Sequence, residues 1–515
     1  MTWLSRLQPT DRLTRPDVDR SLRWHMYSGV FAQSMAVLTG GAFLVAFALE
    51  LGASNKIIGL LAAIGPFSQL LQIPSILLVD TVRRRKLLVV VAAFFSRAVW
   101  LAIAAIPFVL PPPWRVPGMI GVLVVHFGLA SVSACGFNSW MRDYLPEDIM
   151  GSHLARRMAW AIGVGAALSL AAGFGIDAFK RQVDPDIAGY SILFVIGTVI
   201  GLVGLTMLAR VPEPRMRPPE KRTGLLDQLA QPFKNERYRS LLFFLVAWNF
   251  AVNLAAPFFV VYMLRRLGLS MTWVIGLGVT SQMMNVVFLG VWGRLADRFT
   301  NKSALAVSAP LFMISILLWV FTTLPERHMG TIPLVIAIHA LSGMSTAGVT
   351  LCAGNIALKA APKGAATAYL ATNALVSGMA ATAAPILAGV FVDFFANRML
   401  TLELHWVVLG EAARSFDLIP FHLGGLDFLF AISFVLGLYA VHRLAAIREE
   451  GDVTEKVVVT ELVAEVRKGV NTVATVPGLR YLTAFPFYLL RSAGSVVPGP
   501  WRNHRSRDEE SPPGD

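Results

Sequence analysis

Residues 211–240 read VPEPRMRPPEKRTGLLDQLAQPFKNERYRS, a polar, Pro-rich and basic stretch in an otherwise apolar chain. Six long apolar runs precede it, at 25–49, 57–79, 87–109, 118–141, 154–179 and 188–210. Six follow, at 241–264, 272–293, 303–324, 331–354, 366–392 and 424–446. Roughly 20 helical residues cross a hydrocarbon core of about 30 Å. Each run therefore predicts one membrane-spanning helix, and the polar stretch predicts a linker between two groups of six. Gly65-Pro66 and Pro385 interrupt runs, which neighbouring helices in a membrane tolerate.

The composition excludes several classes. The chain has 515 residues, 55% hydrophobic and 15% charged; soluble domains carry about 25% charged residues. Two cysteines exclude a disulfide scaffold and a Cys-built zinc site. There is no H-E-x-x-H, P-loop or G-x-S-x-G, so no enzyme chemistry, cofactor or metal is expected. No short basic, apolar and cleavable pattern opens the chain, so a removable leader is not expected.

An even number of spans puts both termini on one side. With the termini inside, 35 of the 45 Lys and Arg fall in inner segments, 9 fall in outer loops, and Arg97 alone lies within a span. That bias orients the chain in the cell membrane with both termini cytoplasmic. It also accounts for the net charge of +13 without nucleic acid, as an orientation signal that meets anionic lipid headgroups. The expected organisation is a cytoplasmic N-terminal tail at 1–24, a first bundle at 25–210, a cytoplasmic linker at 211–240, a second bundle at 241–446 and a cytoplasmic tail at 447–515. In that tail, Val457–Val473 predicts an amphipathic helix, Tyr481–Leu490 is too short to span, and 500–515 is expected to be disordered. In the long outer loop 394–423, Leu402–Ser415 reads as a short interfacial helix.

A shift of 217 residues superposes the two halves. Gly59 falls on Gly276, Asp80 on Asp297, Cys135 on Cys352, Asn138 on Asn355 and Arg142 on Lys359. One residue of slippage later, Gly173 and Asp177 match Gly389 and Asp393. The halves read as parallel repeats about an axis along the membrane normal.

The loop after the eighth run, Gly293-Arg-Leu295-Ala296-Asp297-Arg298-Phe-Thr-Asn-Lys302, resembles the G-x-L-a-D-r-x-G-r-k signature of the major facilitator superfamily of secondary transporters, with Thr300 at the second Gly. The loop after the second run, Ile76-Leu-Leu78-Val-Asp80-Thr-Val-Arg83-Arg84-Arg85-Lys86, keeps the Leu, the Asp and the basic run without the glycines. The resemblance covers about residues 24–446. It implies an all-α membrane protein of twelve helices in two pseudo-symmetric six-helix bundles, rocking about a central site lined by the first, fourth, seventh and tenth helices. It further implies a monomer that moves a small organic solute by alternating access, with protons as the candidate coupling ion. A transport-inactive receptor or assembly factor of the same fold is the alternative, and a cavity lined only by apolar residues would favour it.

Polar groups within spans are costly and sparse, and so are functional candidates. Arg97 reads as an anion contact or, alternatively, as a structural Arg bonded to backbone carbonyls. His126 and His339, on cavity-lining helices by resemblance, read as solute contacts or proton carriers, against simple helix–helix hydrogen bonds. Gln33 and the i,i+4 pair Asn249 and Asn253 are further solute candidates, though amides are common glue between membrane helices. Acids lie only at span ends. Asp80, Arg84, Arg142, Asp297 and Arg298 read as gating residues: a carboxylate beside Arg at an inner helix end forms a charge-assisted pair in one state and loses it in the other. Asp297→Asn is expected to slow the change of state more than it weakens solute binding. Unchanged turnover in reconstituted vesicles would count against this latch.

Overall fold

The computed structural model describes residues 8–10, 14–182, 187–216, 225–323, 326–362, 366–408, 414–447, 449 and 455–473. The first span is a rod of two helices, α1 (Arg15–Thr39) and α2 (Gly41–Glu50). They join at Gly41, whose φ of +54° lies in the left-handed region that side chains with a Cβ avoid. Helix α1 starts ten residues inside the expected tail, because a Thr14–Asp17 capping box satisfies its first N–H groups. Its polar first turns project beyond the apolar run from which the boundary was read.

The second span is divided into α3 (Asn55–Gln69) and α4 (Gln72–Val82). Pro66 removes a backbone donor just before the break. Among the described residues, eleven helical segments are long and apolar enough to cross a membrane; the divided α3–α4 pair lies on the second apolar run. The remaining spans of the first half are α5 (Arg85–Val109), α6 (Pro112–Tyr144), α7 (Glu147–Lys180) and α8 (Ile187–Leu208). After a short α9 (Leu225–Lys234), the second half holds α10 (Glu236–Val261), α11 (Met271–Arg298), α12 (Asn301–Leu317), α13 (Thr331–Ala360), α14 (Ala366–Phe395) and α15 (Leu426–Leu444). One π-turn, Tyr262–Arg266, ends α10, and one 3-10 turn, Leu318–Thr322, ends α12.

The pairings repeat between halves. In the first bundle α1 packs on α7 and α8, and α5 on α6 and α8. Six crossings later α10 packs on α14 and α15, and α12 on α13 and α15. Small residues set the spacing: a Cβ on Gly204 of α8 would lie 2.5 Å from the Phe31 Cβ of α1, the close approach that membrane helices use in place of a hydrophobic driving force.

One loop departs from expectation. The outer loop forms an antiparallel hairpin, β1 (Met399–Val408) with β2 (Arg414–Gly424), rather than an interfacial helix at 402–415. Its residues alternate with period two, as in Leu400, Leu402, Leu404 and Trp406, and that pattern favours a strand. The tail helix α16 (Glu455–Val473) belongs to a separate compact unit; Tyr481–Leu490 and 500–515 lie outside the described residues.

The bundles meet where α3 packs along α14 and α7 meets α11. A Cβ on Gly59 would lie 2.1 Å from the Pro385 carbonyl oxygen, and one on Gly389 2.8 Å from the Lys56 Cα. These neighbours are backbone and cannot give way. Gly59→Leu should therefore hold the outer ends apart. The expected result is faster labelling of a Gln33→Cys reporter by an impermeant maleimide added outside; an unchanged rate would refute this role for Gly59.

Candidate functional site

A cavity of about 600 Å³ lies between the bundles, lined from α1, α2 and α7 on one side and from α10 to α13 on the other. Its polar side chains are Gln33, Ser169, Ser281, Gln282, Ser315, His339 and Ser342, and among the described residues no Asp, Glu, Lys or Arg lines it. Its aromatic wall is built from Phe259 and Trp319, stacked at 5.1 Å and 14°. Trp319 meets His339 edge-on at 5.5 Å. The Nδ1 of His339 lies 2.9 Å from the Val335 carbonyl, one turn earlier. That bond makes Nδ1 the donor and leaves Nε2 as an acceptor.

A second cavity, about 320 Å³, lies within the first bundle among α1, α5, α6, α7 and α8. Arg97, His126, Asn138 and Arg157 line it, with Ser28, Thr39, Ser96 and Ser133. Arg97 donates through Nη1 to the Gly201 carbonyl of α8. The His126 Nδ1 lies 2.7 Å from the Ser96 carbonyl, and Trp100 Nε1 donates to the same ring. His126 thus ties α6 to α5.

The sequence-derived candidates divide accordingly. Gln33 and His339 share the central cavity; Arg97 and His126 share the second. Asn249 and Asn253 line neither, and each amide donates to the carbonyl four residues earlier on α10 at 2.8 Å. Asp297, Arg298, Arg84 and Arg142 are exposed, and the guanidinium of Arg298 lies over the Phe299 ring at 5.3 Å. The side chain of Asp80 lies outside the described residues.

At the ends remote from the termini the bundles are joined by two carboxylates. Asp177, at the end of α7, accepts from the Met271 and Thr272 N–H groups at 2.9 and 2.8 Å, capping α11 of the opposite bundle. Asp393, at the end of α14, accepts from the Asn55 amide at 3.1 Å and lies 3.7 Å from the Lys56 ammonium, at the start of α3. The repeat match of Gly173 and Asp177 with Gly389 and Asp393 is the sequence signal for both.

The inner ends carry a brace within each bundle that sequence reading missed. Glu213, after α8, accepts from the Arg85 and Lys86 N–H groups at 2.7 and 3.1 Å and so caps α5. The Arg85 guanidinium reaches Asp143 at 2.5 Å, the Ser139 carbonyl at 3.0 Å and the Pro214 carbonyl at 2.9 Å. In the second bundle Glu449, after α15, accepts from the Lys302 N–H at 2.9 Å and the Asn301 amide at 3.1 Å, capping α12, and from the Lys359 ammonium at 3.0 Å. Burial raises the Glu213 carboxyl above its ordinary value, against the Lys86 and Arg85 N–H groups and the Arg85 charge. At Glu449 burial also pushes upward, but the Lys302 N–H, the Asn301 amide and Lys359 outweigh it and hold the carboxyl below the ordinary 4.5. A depressed carboxylate contributes stability above its unfolded value and loses it as pH falls through the folded one. Melting temperature should therefore drop less between pH 6 and pH 4 in Glu449→Gln than in the parent. Parallel curves would show that the brace does not titrate as described.

The family model described as the Major Facilitator Superfamily matches residues 26–385. The nucleoside transporter NupG has a similar structure, with TM-score 0.64, 11% identity, and coverage of 84% of this chain and 100% of that one. A D-xylose–proton symporter aligns with TM-score 0.55, 16% identity and coverage of 85% and 98%. A bacterial homologue of the human lysosomal transporter Spinster, inward-facing and unoccupied, aligns with TM-score 0.53, 14% identity and coverage of 84% and 95%. At these identities the likeness is one of fold. None of the curated proteins compared with the chain matches it. The family match over most of the chain, the long apolar helices and the duplicated helix pairing agree, and this multi-pass membrane protein, a solute transporter, belongs to the Major Facilitator Superfamily.

Proposed function

We propose that this chain carries a neutral, polar organic solute with a flat or apolar face through the central cavity by alternating access, releasing it unchanged. The observation that carries this reading is the lining. Amides, hydroxyls and one imidazole face a stacked Phe259–Trp319 wall, with no fixed charge among the described residues of the lining. An ionic solute would leave its charge unpaired in a membrane-embedded site, which is costly. A neutral one can exchange its hydration for Gln33, Gln282 and the serines while stacking on the aromatic wall. About 600 Å³ falls in the range of small-molecule sites. A solute of nucleoside or sugar size suits it, as the names of two structural neighbours suggest. The polar lining also speaks against the transport-inactive alternative.

The conformer reads as closed outside. The Asp177 and Asp393 caps hold the outer ends of the bundles together, while Asp297 makes no ion pair among the described residues. On this reading an inner latch at Asp297 forms when the outer caps release. Arg298, Arg84, Arg142 and Asp80 complete that inner gate, and residues 25–210 and 241–446 are the two moving bodies. The chain acts as a monomer in the cell membrane, with both termini and the linker 211–240 cytoplasmic, as the Lys and Arg distribution supports.

Among the described residues of the central lining His339 is the titratable side chain, and it carries the proton where the solute moves with one. Trp319→Ala should abolish solute-induced thermal stabilisation in a screen of nucleosides and sugars. Gln282→Ala should weaken binding about tenfold, the effect of losing a buried hydrogen bond to a polar solute. His339→Gln should preserve counterflow and remove stimulation by a pH gradient. Binding confined to charged solutes would sink the neutral-solute reading.

A further inference from the structure

The second cavity holds two guanidinium groups and no acid. Arg97 lies midway along α5, and Arg157 lies on α7, nearer the inner face. Their resolved hydrogen bonds all go to backbone carbonyls: Arg97 Nη1 to Gly201, and Arg157 Nε to His25 at 3.2 Å. Among the described residues no carboxylate pairs with either, and none lines the cavity. Arg157 is held in place rather than trailing. Its guanidinium fills the space left by Gly29, where a Cβ would meet Nε at 2.2 Å, and it lies 5.7 Å from the Phe137 ring. One edge of each fork is thereby anchored and the remaining N–H groups stay free for another acceptor.

Backbone carbonyls orient a cation but do not neutralise it. Two positive charges enclosed by membrane helices without a counter-charge are unfavourable, and a bound anion resolves this. Arg suits the task, since its planar fork pairs with carboxylate or phosphate through two parallel bonds. Asn138, Ser28 and Ser133 add neutral polar groups. Val89, Ala93, Ala130, Ala134 and Leu208 give the rest of the wall an apolar character. His126 is engaged by Ser96 and Trp100 and serves as wall rather than ligand.

The geometry points to an oxyanion site inside the first bundle, separate from the central cavity, that takes a small organic anion: a carboxylate or phosphate on an apolar body, bridged between Arg97 and Arg157. The site is independent of the neutral-solute reading, because the two linings share only Ala36.

The test is equilibrium dialysis of radiolabelled benzoate against the purified full chain in nanodiscs, with benzamide as the uncharged isostere. Benzoate is expected to bind saturably and benzamide not to compete. Arg97→Gln and Arg157→Gln should each weaken benzoate binding about tenfold or more, the effect of removing a charged hydrogen-bonding partner. Arg97→Lys, which keeps the charge and loses the fork, should fall between, and covers the case in which Arg97→Gln does not fold. Trp319→Ala, in the central cavity, should leave benzoate binding unchanged. Nanodiscs of phosphatidylcholine and of phosphatidylglycerol separate the sources. Weaker benzoate binding in the anionic bilayer identifies a lipid headgroup as the resident oxyanion, and equal binding identifies a soluble one. Competition by benzamide, wild-type affinity in both glutamine variants, or loss of binding in Trp319→Ala would each overturn the site.

Discussion

The arrangement rests on a carboxylate placed at the start of another bundle's helix. A helix begins with N–H groups that have no partner of their own and with the positive end of its dipole. Asp177 meets this need for α11, and Asp393 bonds side chains at the start of α3, in each case from across the seam. Gly173 and Gly389 let the backbones come close enough, since a Cβ on either would lie within 3.3 Å of the opposing chain. The contact is polar, short and duplicated. Opening it exchanges these hydrogen bonds with water, at about 1.5–3 kcal/mol for each bond to a charged group. Elements joined in this way can adopt two states of similar energy.

Rocking also requires bodies that stay intact, and the inner braces supply that. Glu213 and Glu449 tie the chain after the sixth and twelfth crossings to the start of the third and ninth. The charge partner differs between halves. In the second, Lys359 at the end of α13 reaches Glu449. Its counterpart Arg142 is exposed, and Arg85 at the start of α5 takes the role, joining Glu213 and Asp143. The geometry of the brace is retained while the residue that supplies the charge has moved. A repeat search that asks for identical residues would not find it.

The legibility of each feature follows from its range along the chain. The long apolar helices follow from local hydropathy, so they could be read directly. Gly65-Pro66 signals the division of the second span locally, but no local pattern reports that α3 leans across to α14 while α4 stays with α5 and α6. At 399–408 the amphipathic composition suits an interfacial helix, while the period-two alternation, the stronger signal, belongs to the strand that forms. Asn249 and Asn253 share a helix face, as their spacing required, yet their amides satisfy the helix's own carbonyls. Spacing on one helix cannot say which face the partner helices leave open. Trp319 and the four serines of the central lining are unremarkable in sequence, and they matter only because α12, α13, α7 and α11 bring them to one seam.

A duplicated frame need not carry duplicated sites. At the 217-residue shift His126 corresponds to Gly343. There α11 packs so tightly on α13 that a Cβ would lie 2.0 Å from the Ser281 carbonyl oxygen. In the first bundle the imidazole occupies that position, with Ser96 and Trp100 as its partners, and the bundle holds a cavity beside it. One bundle has thus closed its core by helix contact, and presents Gln282, Trp319 and His339 outward to the seam. The other keeps an internal space and places its two carbonyl-anchored arginines within it. The symmetry fixes how the bodies move, and the side chains that break it decide what each compartment can hold.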